Sequence, residues 1–136
     1  MPDEAQKLNF YRRLSRVETV EAADAIRREL RDRFGPVPEE VETLLATSQL
    51  RLLGSELGIE RILVRPWDVR INFRKGNVPR MAWLQSAFTA HQLAVEVRRP
   101  MPLSLALTRH GTEPILPTLL ASMRDLAAEV AKSAAA

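Results

Sequence analysis

The stretch RILVRPWDVRINFR, residues 61–74, is where the hydrophobic pattern of the chain changes to a period of two. An apolar, inward-facing set recurs at every second position on both sides of a turn at Pro66–Asp68. Its members are Ile62 and Val64 before the turn and Val69, Ile71 and Phe73 after it. Two alternating runs joined by a turn predict a β-hairpin.

Three helices are predicted upstream of this hairpin, because apolar residues there recur at spacings of three and four. The first covers residues 4–16. The second begins after Thr19, a residue type that caps helix N-termini, and ends at Gly35. The third begins at Pro38 and ends at Gly58.

Downstream of the hairpin, the pattern predicts a helix of about three turns after Pro79. Two strands follow around 95–97 and 103–107, and a final helix covers 115–130. Because helices and strands are grouped, we expect an α+β fold with helices packed on a small, mostly antiparallel β-sheet. We expect a single domain, residues 1–136, with frayed ends at 1–3 and 131–136.

Composition narrows the classes of function. The chain has 136 residues, no Cys, two His and a net charge of +3. The absence of Cys excludes disulfides and thiolate zinc sites, and two His leave little material for a metal site. No apolar run approaches the ~20 residues that cross a bilayer. The acidic start does not resemble a signal peptide, so we expect a cytoplasmic location and no membrane contact.

The middle of the chain is electropositive, since residues 59–111 carry nine basic and three acidic side chains. If the apolar set of the hairpin faces the core, alternating arginines face outward, and Arg98 joins them if its strand is a neighbour. This basic patch consists of Arg61, Arg65, Arg70, Arg74 and Arg98. Such a face can hold phosphates, which supports the hypothesis that the chain is a small nucleic-acid-binding module. Stacking rings are scarce, however, so a solvated face or one that meets an acidic partner is favoured.

A second candidate site lies on the second predicted helix. Spacings of three and four put Glu29, Asp32 and Arg33 on one side of that helix. From spacing alone, an intrahelical Glu29–Arg33 pair, worth about a few tenths of a kcal/mol, is favoured over a charged docking patch.

Catalytic motifs do not stand out. His91 and His110 have no Asp, Ser or second His at a motif spacing, and neither phosphate-binding glycine motif is present. The sequence therefore favours a non-catalytic chain, with no residue assigned to catalysis, to a cofactor or to a metal.

Four stretches, in order and in register over about residues 2–130, resemble the C-terminal domain of the bacterial transcription-repair coupling factor, Mfd. They are LNFYRRL at 8–14, ELRDRFGPVP at 29–38, LGI at 57–59 and PRMAWL at 79–84. The second stretch is the most specific. The match after Ala87 is one of pattern alone.

The resemblance implies that the parent protein is an ATP-dependent, helicase-like DNA translocase, with ATP and Mg bound in a motor outside this chain. Such a protein displaces stalled RNA polymerase and recruits UvrA for nucleotide excision repair. The resemblance also implies that this domain needs no cofactor, docks on the N-terminal UvrB-like module of the same polypeptide and masks the UvrA site. By position, the docking contacts fall on Glu29, Asp32 and Arg33, which favours the docking patch. The resemblance supplies no role for the arginine face.

Overall fold

The computed structural model describes residues 4–76 and 78–135. Its elements are α1 (Glu4–Ser15), α2 (Val20–Phe34), α3 (Glu39–Glu56), β1 (Ile59–Val64), β2 (Asp68–Phe73), α4 (Met81–Thr89), β3 (Leu93–Pro100), β4 (Leu103–Arg109) and α5 (Ile115–Ala135). Their order is the one that the sequence predicts, and the α+β class is confirmed. The end expected to fray at 1–3 lies outside the described residues.

The chain divides into two compact units, Met1–Leu52 and Leu53–Ala136, where the sequence led us to expect one domain. The first unit contains α1, α2 and most of α3, and the second contains the end of α3 and every later element. The boundary falls inside a helix, so no loop or change of composition marks it in the sequence.

The first unit, Met1–Leu52, has an apolar core to which each of its helices contributes. The buried core residues are Phe10, Leu14, Ala23, Ile26, Leu30, Val41 and Leu45. Those of α2 follow the spacing of three and four that the sequence shows. Burial of a side chain the size of Leu or Phe is worth roughly 1.5–3 kcal/mol, so packing rather than helix propensity holds these helices in place.

Both ends of α2 are fixed by local sequence. The Thr19 side chain accepts a hydrogen bond from the Ala22 N–H at 3.1 Å, as expected for an N-cap. At the other end Gly35 has φ +83° and donates its N–H to the Arg31 carbonyl at 2.9 Å. A backbone with positive φ favours glycine, which explains why the helix ends there.

The second unit, Leu53–Ala136, is built on a four-stranded antiparallel sheet of order β1-β2-β4-β3. The Arg65 N–H donates to the Asp68 carbonyl at 2.9 Å and closes the β1–β2 hairpin. The β3–β4 pair is a second hairpin, and pairing of β2 with β4 joins the two.

One face of this sheet is buried and the other is polar. The buried face presents Val69, Ile71, Phe73, Leu105 and Leu107, as the alternation predicts. α4 contacts β3 and α5, and these two helices bury Leu84, Phe88, Leu119, Met123 and Leu126. α5 continues to Ala135 through the segment expected to fray, because its alanine-rich end favours helix. In the part of the chain that the structure describes, no helix combines the length and apolarity needed to cross a membrane.

Candidate docking site

The candidate docking residues lie on the solvent side of α2, close to its C-terminal end. Asp32 and Arg33 are exposed and Glu29 is half-buried. The helix beneath them is held on its other flank, where Arg27 donates two hydrogen bonds to Glu42 of α3, at 2.8 and 3.2 Å. The flank that carries Glu29, Asp32 and Arg33 is therefore presented from a fixed helix.

Glu29 pairs with another helix rather than within its own. Its carboxylate accepts a hydrogen bond from the Arg13 guanidinium of α1, while Arg33 acts on it only through charge. The expectation of an intrahelical Glu29–Arg33 ion pair was wrong, because Arg13 comes closer. This hydrogen bond, aided by the Arg13 and Arg33 charges and opposed by partial burial, holds the pKa of Glu29 below its usual value. Glu29 thus remains a carboxylate throughout the neutral range.

Two aromatic rings extend the site beyond its charges. The Arg13 guanidinium lies 5.2 Å from the Phe10 ring centroid, and the Arg33 guanidinium lies 5.1 Å from that of Phe34. The two rings meet edge to face, with centroids 6.1 Å apart. Cation–π contacts of this kind restrict where a guanidinium can point. The Phe34 ring thus favours a position of the Arg33 guanidinium from which its charge acts on the Glu29 carboxylate.

An apolar groove adjoins these rings within the same unit. Its walls include Tyr11, Leu30, Phe34, Pro36 and Val37. Tyr11 is 37% exposed and the neighbouring Leu8 is 49% exposed, so apolar surface reaches solvent next to the charged flank. Aromatic residues and arginine are enriched in protein interfaces, and polar groups form the rim around them.

Sequence reasoning missed Arg13 and Tyr11 as members of this surface, and Phe10 as the buried ring against which Arg13 lies. The signal was present, since all three belong to the LNFYRRL stretch that carries part of the family resemblance. What was missing was the pairing of α1 with α2, which brings residues 16 positions apart into contact.

The basic patch is divided by the strand order. Arg61 and Arg70 lie on the outer face of β1 and β2, and Arg65 and Arg74 lie just beyond the ends of those strands. Arg98 is separate, because β3 lies at the opposite edge of the sheet with β4 between it and β2. Arg98 was expected to join the other arginines only if its strand lay next to theirs, and it does not.

An aspartate pairs with two of the five arginines in this patch. The Asp68 side chain accepts from Arg65 at 2.6 and 2.7 Å and from Arg70 at 3.1 Å. Arg65 is the main cause, and Arg70 the second, of an Asp68 pKa below the usual value. Arg98 pairs with Glu96 at 3.1 Å. Among residues 4–76 and 78–135, only Arg61 and Arg74 of the five arginines have no acidic partner.

Comparison with known proteins places this chain in a family. A family model described as the TRCF domain matches residues 1–84, which include the whole helical unit and the first hairpin. The chain belongs to the TRCF domain family. The transcription-repair-coupling factor of Escherichia coli (strain K12) is 34% identical over 84 residues, which are 62% of this chain and 7% of that protein. The corresponding protein of Borreliella burgdorferi is 31% identical over 72 residues, 53% of this chain and 6% of that protein.

A solved structure extends the likeness of this TRCF-domain chain to nearly its full length. The crystal structure of the C-terminal domain of a transcription-repair coupling factor matches with a TM-score of 0.74 and 22% identity, over 96% of this chain and 84% of that one. The fold of the second unit is therefore shared, although the family model ends at residue 84. The chain spans less than a tenth of the curated relatives that it matches.

One histidine of this TRCF-domain chain takes part in a surface contact with an aspartate. His91 lies 2.6 Å from Asp125, a contact that links the turn after α4 to α5 at the surface. Within residues 4–76 and 78–135, no group of three potential ligands is placed to hold a metal ion. Trp67 is 66% exposed at the β1–β2 turn rather than anchoring it, with the Arg65 guanidinium 5.5 Å from its ring centroid.

Proposed function

We propose that this chain is a non-catalytic regulatory domain of a transcription-repair coupling factor, and that it acts by autoinhibition. It docks on the N-terminal UvrB-like module of the same polypeptide through α2 and thereby masks the surface that UvrA binds. Membership of the TRCF domain family and likeness to the C-terminal domain of a coupling factor support this role.

The observation that carries the proposal is the prearranged charge on the solvent side of α2. Arg13 fixes the Glu29 carboxylate and the Phe34 ring fixes Arg33. Asp32 is exposed, and none of residues 4–76 and 78–135 forms an ion pair with it. Acceptors and a donor held in place before binding lose little conformational entropy when a partner with opposite charges arrives. Charge-assisted hydrogen bonds of this kind give a specific contact that can still be released.

The rest of the proposed function belongs to the parent protein. It uses ATP and Mg in a separate motor to move on DNA, displaces stalled RNA polymerase, and exposes the UvrA site when this domain is released. Changing a domain from mostly docked to mostly released takes about 5 kcal/mol, which nucleotide and polymerase binding together can supply. Because the flank is mostly solvent-exposed charge, the docked state is weak enough to be opened.

The test is the charge reversal Asp32→Arg in the full-length coupling factor. Asp32 makes no ion pair within residues 4–76 and 78–135, so the variant domain keeps its own fold while an incoming arginine is repelled. We expect an increase of about ten-fold in UvrA captured by the full-length protein, corresponding to about 1.4 kcal/mol of lost docking, together with higher basal ATPase.

The matched control is Arg31→Glu, which reverses an exposed charge in the same helical turn but on the flank of Arg27. It should leave UvrA capture unchanged. Glu29→Ala should also raise capture, but it removes the contact with Arg13 as well, so its effect combines docking with stability. If Asp32→Arg and Arg31→Glu both leave UvrA capture at the unmodified level, the docking role is rejected.

A further inference from the structure

The outer edge of the sheet at β1 carries unpaired backbone groups. Among the residues that the structure describes, β1 pairs with β2 alone. Arg65 and Asp68 form the hydrogen-bonded pair next to the turn, and such pairs alternate along an antiparallel ladder. Leu63 is therefore bonded to β2, whereas the N–H and C=O groups of Ile62 and Val64 point away from the sheet. This edge offers donors and acceptors to another strand.

The side chains at this edge are unusually apolar for an exposed strand. Leu63 is 40% exposed and Val64 is 38% exposed, and Trp67 follows at the turn with 66%. The bulge of β1 lies at its start, between Ile59 and Arg61, and leaves the rest of the strand regular. The opposite edge, β3, is interrupted in its second half by a bulge between 97 and 99. β1 is therefore the better template for strand pairing.

Charge identifies the kind of strand that fits. Arg61, Leu63 and Arg65 alternate onto the outer face, and Ile62 and Val64 onto the other. In a pairing of two copies centred on Leu63, Arg61 of each would lie opposite Arg65 of the other, and like charges opposite each other are destabilising. An incoming strand with acidic residues at those two positions is stabilised instead. We propose that the β1 edge binds an extended, acidic strand of a protein partner by β-augmentation.

A nucleic acid fits this surface less well. Arg65 and Arg70 already pair with Asp68, so Arg61 is the basic side chain of this edge that has no acidic partner among the described residues. Phosphate backbones also have no hydrogen-bonding pattern that matches a strand edge, whereas the unpaired groups of Ile62 and Val64 match another strand. The proposal is independent of the docking role of α2, because the two surfaces belong to different units.

The experiment uses the 136-residue chain and a fluorescein-labelled peptide of the repeating pattern Glu-Val-Thr-Val-Glu. We expect saturable binding by anisotropy, slower hydrogen exchange at the Ile62 and Val64 amides, and a shift of Trp67 emission. Val64→Pro removes a donor that points away from β2, so the hairpin is retained while binding weakens by about ten-fold or more. Arg61→Glu should weaken binding of the acidic peptide and strengthen binding of a peptide with Lys in place of Glu.

Three outcomes would overturn the proposal. The first is binding of the acidic peptide without protection of the Ile62 and Val64 amides. The second is salt-sensitive binding of single-stranded DNA that Val64→Pro leaves unchanged but Arg61→Glu abolishes, since that indicates a phosphate site. The third is a dimer of the chain in sedimentation that Val64→Pro converts to monomer, because a second copy would then occupy the edge.

Discussion

The environment of Glu29 is set by a neighbouring helix as well as by its own, since Arg13 belongs to α1 and Arg33 to α2. Its hydrogen bond to Arg13 and the charges of Arg13 and Arg33 lower its pKa in the folded state. A carboxyl with a lowered pKa stabilises the fold above its unfolded pKa, and this contribution disappears as pH falls through the folded value. Because both partners are more than a third exposed, solvent screening limits the contribution of this pair.

We therefore predict that Glu29→Gln lowers the free energy of unfolding by about 0.5 kcal/mol at pH 7. The difference should shrink as pH is lowered below the usual range of glutamate and disappear once Glu29 is protonated in the folded state as well. Urea unfolding followed by circular dichroism at a series of pH values measures it. Asp32→Asn is the control at pH 7, since Asp32 has no ion pair with the described residues and its replacement should leave the free energy of unfolding unchanged. If Glu29→Gln instead loses the same free energy of unfolding at every pH, packing rather than charge accounts for the stabilisation by Glu29.

Individual residues also show where sequence reasoning ends. Spacing placed Glu29, Asp32 and Arg33 on one side of α2, and the structure agrees. It could not identify Arg13 as the partner of Glu29, because that depends on how α1 and α2 pack. Likewise nothing in the local sequence reveals that the Trp67 ring is exposed.

Among the elements, α2 has the most clearly determined end. Gly35 combines φ +83° with ψ −152°, a region that only glycine occupies without strain, and a Cβ built there meets nothing within 4 Å. The cost of a side chain is therefore conformational alone.

Gly35→Ala should lower the free energy of unfolding by about 1–3 kcal/mol. Gly111→Ala is the matched control. Its added Cβ lies 3.7 Å from the nearest atom of Gln92, an ordinary contact, and its φ is not positive. Chemical denaturation of both variants decides the matter: equal stabilities would show that the positive φ of Gly35 costs an alanine nothing.

The strands show a different limit of prediction. The first hairpin could be predicted from its alternation and turn, whereas the last two strands were predicted without their pairing. The pairing of β2 with β4 could not be predicted, since it joins segments about 35 residues apart and several orders satisfy the same alternation. The position of Arg98 follows from that order alone, which is why the basic patch was predicted larger than it is.

For the whole molecule, the electropositive middle of the chain suggests a stronger positive surface than the structure presents. Of the five arginines in the basic patch, two share Asp68 and a third pairs with Glu96. The net charge counted from composition therefore overstates the positive charge that is available to bind a polyanion. The structure leaves Arg61 and Arg74 as the members of that set without an acidic partner among residues 4–76 and 78–135.

This charge pairing predicts weak binding of nucleic acid and a shallow dependence on salt. Each phosphate neutralised on a single strand adds about −0.7 to the slope of log K against log salt, so contacts from Arg61 and Arg74 give about −1.4. All five arginines acting together would give about −3.5. Anisotropy of labelled single-stranded DNA over a range of salt concentrations measures the slope. Asp68→Asn should steepen it, because Arg65 and Arg70 then become available to phosphate. A slope near −3.5 in the unmodified chain would mean that Asp68 and Glu96 do not hold their arginines in solution.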